Sequence, residues 1–143
     1  MVCAGNTGEA LRRIPPGSRR LLKVVLEAEG IAVVGEAGDA RAGVDRVRDR
    51  DPEVVLMNLR LPDMSGIEAT RLIKESSPLT QVIILTAHDG PLPRESAEQV
   101  GVYAYMVTGV AAELLRDVIL DAWAYGEGLR ALGSPGRKPV RIT

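Results

Sequence analysis

The chain has 143 residues, 45% of them hydrophobic and 26% charged, with a net charge of −1 and one cysteine. That length and balance suit one globular domain and argue against wholesale disorder. They give no global attraction to nucleic acid, no apolar run near the ~20 residues of a membrane helix, and, with Cys3 alone, no internal disulfide or multi-cysteine metal site.

From about residue 18 helix-like and strand-like segments alternate. Ser18 can cap a helix through Glu29, with Leu22, Val25 and Leu26 on one face and Gly30 as its stop. Ile31 to Val34 reads as a strand. Asp39 can cap a second helix carrying Ala40, Val44 and Val47, which Asp51-Pro52 ends. Val54 to Met57 is a continuous apolar strand, the pattern of a sheet covered on both faces. Ser65 then caps a helix bearing Ile67, Thr70 and Ile73. Val82 to Leu85 and Tyr103 to Val107 are further strands. Between them, Gly90-Pro91-Leu92-Pro93 leaves only a short helix, Arg94 to Val100. A last helix spans roughly Ala111 to Tyr125, with Leu114, Leu115, Val118, Ile119 and Ala122 facing inward. Beyond Gly126 the period is lost.

Strands alternating with helices imply right-handed crossovers and a parallel sheet, whose sites form at the carboxyl ends of the strands. Asn58, Thr86 and Thr108 fall there.

The stretch PEVVLMNLRLPDMSG, Pro52 to Gly66, resembles the core motif of bacterial response-regulator receiver domains. LEAEGIAVVGEAGDA and LRLPDMSGIEATRLI look most like receivers whose output is a LuxR-type helix-turn-helix. The resemblance runs from about Leu21 to Leu120. It implies a CheY-like, flavodoxin-like fold, a doubly wound α/β domain on a parallel five-stranded sheet. Receivers of this kind accept a phosphoryl group on an aspartate at the end of the third strand. An acidic pair after the first strand holds Mg²⁺ beside it.

By that resemblance Asn58 takes the phosphoacceptor position. Pro62 and Gly66 match the turn after it, and Arg60 would offer its backbone carbonyl to the metal. Thr86 matches the switch hydroxyl and Tyr105 the switch aromatic, while Thr108 stands where the family has lysine. An amide is a poor nucleophile, threonine lacks the lysine charge, and Asn6 and Thr7 replace the acidic pair, with Glu9 a remote substitute. The site is therefore expected to be degenerate, with the Mg²⁺ site lost and no cofactor or catalytic residue.

The first strand is expected to be atypical, since Met1 to Ser18 offers only Val2-Cys3-Ala4 and then Pro15-Pro16-Gly17. The fourth helix is expected to be atypical as well. His88 lacks a second ligand nearby, and Asp63 and Asp89 read as turn acids. Gly5-Asn6-Thr7-Gly8 could cradle phosphate but lacks the Lys-Ser/Thr of a Walker motif, so a turn is the simpler reading.

Residues 1–17 are thus an atypical N-terminal segment, 18–126 the receiver-like domain, and 127–143 a tail or linker remnant. The basic residues Arg130, Arg137, Lys138 and Arg141 suit a solvated linker better than a DNA-binding arm.

The expected function is that of a non-enzymatic pseudo-receiver in the cytoplasm, acting through protein contacts. Its partner, or a second copy, would bind the fourth helix, fifth strand and fifth helix, at a face including Glu98, Tyr105, Arg116 and Trp123. Neither nucleic acid nor membrane is expected to bind the chain directly. The alternatives are the receiver part of a LuxR-type DNA-binding regulator and a flavodoxin-like ligand-binding protein.

Overall fold

Apolar side chains fill both faces of the central strands, so the sheet must be covered twice. The computed structural model describes residues 2–5, 19–87, 90–132 and 141–142. In chain order they form β1 (Val2–Gly5), α1 (Arg19–Ala28), β2 (Ala32–Glu36), α2 (Ala40–Arg50), β3 (Val54–Asn58), α3 (Gly66–Ser76), β4 (Gln81–Thr86), α4 (Pro91–Val100), β5 (Ala104–Val107), α5 (Ala112–Leu132) and β6 (Arg141–Ile142).

Successive residues of β3, β4 and β5 enter different cores, as a pleated backbone requires. Val54, Leu56, Ile83, Leu85, Ala104 and Met106 pack with α1 and α5. Val55, Met57, Val82, Ile84 and Tyr105 pack with α2, α3 and α4. The result is a doubly wound α/β domain.

The sheet runs β2-β1-β3-β4-β5-β6, with β3 to β6 parallel. Two features depart from the expected five parallel strands. β6 adds a two-residue strand beside β5, pairing Ala104 with Arg141 and Tyr105 with Ile142. β1 lies between β2 and β3, as a first strand should, but runs antiparallel to both. VCAG is short and apolar throughout, and apolar continuity carries no information about strand direction. Because Gly5 pairs with Ala32, β1 ends at the amino end of the sheet, opposite Asn58. Asn6, Thr7, Glu9 and Ser18 lie outside the described residues.

The helix boundaries follow local chemistry. The Asp39 side chain accepts from Ala42 N–H at 2.8 Å and caps α2, and Ser65 accepts from Glu68 N–H at 3.1 Å and caps α3. α4 is longer than the Arg94–Val100 expected. The first N–H groups of any helix lack intrahelical partners, so Pro91 and Pro93 in the opening turn sacrifice no hydrogen bond. α5 runs seven residues past Tyr125. Gly126, at which the period breaks, sits where a Cβ would meet Leu79 O at 3.4 Å, and Leu129 beyond it is buried. Leu114, expected inside, is 39% exposed on the rim of α5.

Candidate functional site

β3, β4 and β5 end side by side. Asn58 pairs with Leu85, Thr86 pairs with Val107, and Thr108 N–H donates to Thr86 O at 2.8 Å. The parallel register thus brings Asn58, Thr86 and Thr108 to one edge of the sheet, as their strand-end positions led one to expect. Asn58 and Thr108 are partly exposed there, and Thr86 is buried.

The turn after Asn58 is tightly closed. Leu59 N–H donates to Leu85 O, Leu61 N–H to Met64 O, and Gly66 N–H back to Leu59 O at 2.6 Å. Arg60 and Ser65 form an antiparallel bridge across it. A Cβ on Gly66 would stand 2.0 Å from the Asn58 carbonyl oxygen and 3.0 Å from Met57 Cγ. Position 66 must therefore be glycine for reasons of space. Arg60 and Pro62 lie exposed on the outside of the turn.

Tyr105 has no exposed surface and packs in the core beneath α4. The Arg94 guanidinium lies over its ring, 4.9 Å from the centroid, a cation–π contact shielded from water on the ring side. Nothing in the local sequence signals this pair, because the two residues sit on different elements.

The acids near this edge are engaged elsewhere. Glu36 faces Arg19 at 3.6 Å and Lys23 at 3.8 Å. Asp39 caps α2. Asp63, on the turn after Asn58, accepts from Ala40 N–H at 2.8 Å and from Arg41 N–H at 3.0 Å, one amide on each carboxylate oxygen. The bond from Ala40 foremost, opposed by partial desolvation and aided by the Arg41 amide and charge, holds the Asp63 carboxyl below its ordinary pKa.

Mg²⁺ is bound through one or two carboxylates. The carboxylates near this edge, those of Glu36, Asp39 and Asp63, are engaged as described, and the other described groups there are an amide, hydroxyls and backbone oxygens, so this donor set does not fit the ion. No grouping of three His, Cys, Asp or Glu side chains among the described residues could hold a metal. Glu9, His88, Asp89 and most of the Gly5–Gly8 loop lie outside the described residues.

The structure moves two residues away from the expected partner face. Arg116 Nη1 donates to Glu29 Oε2 at 3.1 Å, which ties α5 to the end of α1. Trp123, 44% exposed, is seven residues on and shares the Arg116 side of the helix. The opposite side of α5 carries Tyr125, whose ring packs on Tyr103 just before β5, 5.8 Å between centroids. Leu114 and Leu132 follow that side by helical periodicity. Glu98 of α4 is exposed as expected, but Tyr105 offers no surface.

Comparisons with known proteins agree with this architecture. Residues 15–120 match the response regulator receiver domain family, a span that begins after β1. The chain is 38% identical over 109 residues to response regulator UvrY of Escherichia coli K12, covering 76% of this chain and 48% of that protein. A LuxR-family two-component response regulator from Aurantimonas sp. SI85-9A1 has a similar structure, with a TM-score of 0.62, 30% identity and coverage of 76% of this chain and 71% of that one. The receiver domain of the response regulator NarL from Mycobacterium tuberculosis superposes with a TM-score of 0.69 at 27% identity, over 74% of this chain and 86% of that one. Methanospirillum hungatei provides a CheY-like receiver with a TM-score of 0.68 at 24% identity, which speaks to fold alone. The chain spans about half the length of the curated response regulators it matches. With the fold, the order of motifs and these relatives in agreement, the chain belongs to the response regulator receiver domain family.

Proposed function

We propose that this chain is a pseudo-receiver, a response-regulator domain that works through protein contacts without accepting phosphate. The observation that carries the reading is the chemistry at the carboxyl edge of β3. Asn58 presents an amide where the family presents its acceptor carboxylate. Thr108, at the lysine position, brings no charge to neutralise phosphoryl oxygens. Asp63, the carboxylate on the same turn, has both oxygens committed to α2. A transferable phosphoryl group needs a nucleophile and a field of positive charge, and neither is supplied by these side chains.

The role is regulatory rather than catalytic, and the cytoplasm is its proposed location. No described helix is long and apolar enough to cross a membrane. The partner, or a second copy, is proposed to bind along α4, β5 and the neighbouring side of α5. Glu98, Leu114 (39% exposed) and Leu132 (79% exposed) offer contact surface there. Sedimentation velocity of the natural chain, with and without Mg²⁺ and a small phosphodonor, tests the reading. The same sedimentation coefficient in both conditions is expected, and a phosphodonor-driven shift would defeat it.

A second reading treats the chain as the receiver part of a LuxR-type DNA-binding response regulator. It is favoured by the relatives, of which the chain spans about half, one of them a transcriptional regulatory protein from Rhizobium johnstonii. An in-frame helix-turn-helix segment downstream would support it.

A further inference from the structure

We propose that Asp63 is the positioning residue that couples the turn after Asn58 to α2, so that the two move as one unit. Three observations meet in this turn. At one end Gly66 is packed against the Asn58 carbonyl too closely to admit a methyl group. In the middle, the Leu61–Met64 hydrogen bond and the Arg60–Ser65 bridge close the turn on itself. At the far end both carboxylate oxygens of Asp63 reach across 22 and 23 residues of sequence to the first amides of α2. A closed turn fixed at both ends acts as an arm rather than a loop.

α2 already has a local cap. Asp39 satisfies the Ala42 amide, and Asp63 satisfies the two amides before it. The first amides of a helix have no intrahelical acceptor, so a second carboxylate there meets a real need. That this acceptor comes from the Asn58 turn is what links the two places. A displacement of α2 then draws on Asp63 and reaches Asn58 through the turn. This coupling does not depend on whether the domain accepts phosphate.

The test is nuclear magnetic resonance of the full chain and two variants. In Asp63→Ala, amide exchange at Ala40 and Arg41 should rise about tenfold, the scale of one net hydrogen bond. The Asn58 side-chain amide resonances should move as well. In Asp39→Ala, exchange should rise at Ala42 while the Asn58 resonances stay in place. Asp63→Asn, nearly isosteric and retaining one acceptor oxygen, serves if the alanine variant does not fold; it should protect one of the two amides and shift Asn58 less. Faster exchange at Ala40 and Arg41 with unmoved Asn58 resonances would make Asp63 a helix cap only and overturn the proposal. Equal Asn58 shifts in the Asp39 and Asp63 variants would overturn it too.

Discussion

Replacing Arg116 with methionine tests the ion pair that ties α5 to the end of α1. Glu29 has no exposed surface, and its Oε2 accepts from Arg116 at 3.1 Å while Oε1 has no hydrogen-bond partner among the described residues. Removing the guanidinium leaves a buried carboxylate with this contact gone. Breaking a buried pair from one side costs about 3–5 kcal/mol. The Arg116 side chain is 26% exposed, so water can partly replace it and the low end applies, about 3 kcal/mol. Urea unfolding followed by circular dichroism reads that loss directly. The companion is the double variant Glu29→Leu with Arg116→Met, which removes both charges at similar volume. It should unfold within about 1 kcal/mol of the natural chain, because an apolar pair carries no desolvation penalty. A single variant that loses less than about 0.5 kcal/mol would refute the reasoning, since that is the scale of an exposed pair. So would a double variant as unstable as the single one.

Three further predictions rest on other parts of the fold. Gly66→Ala forces a methyl into the Asn58 carbonyl, so it should cost at least about 2 kcal/mol, at the upper range of overpacking, in the same urea assay. Ser65→Ala removes the cap of α3 and should cost about 1 kcal/mol, read as a lower urea midpoint with an unchanged slope. Asp63 has a folded pKa below its ordinary value, chiefly through the Ala40 amide, with Arg41 the facing charge. Its contribution is therefore complete above the unfolded pKa and lost as pH falls through the folded one. The stability gap between the natural chain and Asp63→Asn should be full near neutrality and close in acid. A gap that widens on acidification would contradict the assignment.

What the sequence made legible was local. Asp39 and Ser65 sit one residue before periodic apolar runs, and each caps the helix it precedes. The apolar strands carry their burial in their composition, and the register of β3, β4 and β5 then places Asn58, Thr86 and Thr108 together. What it hid was tertiary. The direction of β1 is not written in four apolar and small residues. The length of α4 was obscured by two prolines whose cost vanishes in a first turn. The extension of α5 was masked by Gly126, which lowers helix propensity by about 1 kcal/mol but allows close approach to Leu79. Asp63 reads as a turn acid and Arg116 as part of a partner face, and nothing local to them or to Arg94 signals the contacts they make, because each finds its partner on a distant element.

The measurement closest to the central claim is the intact mass of the chain after incubation with Mg²⁺ and a small phosphodonor. The natural chain should gain no phosphoryl group, because the amide of Asn58 is not a nucleophile for phosphorus. An Asn58→Asp variant in parallel shows whether the surrounding pocket can still support the reaction. A labile acyl-phosphate adduct on the natural chain would contradict the account and send the search to Asp63, Asp89 and Glu9.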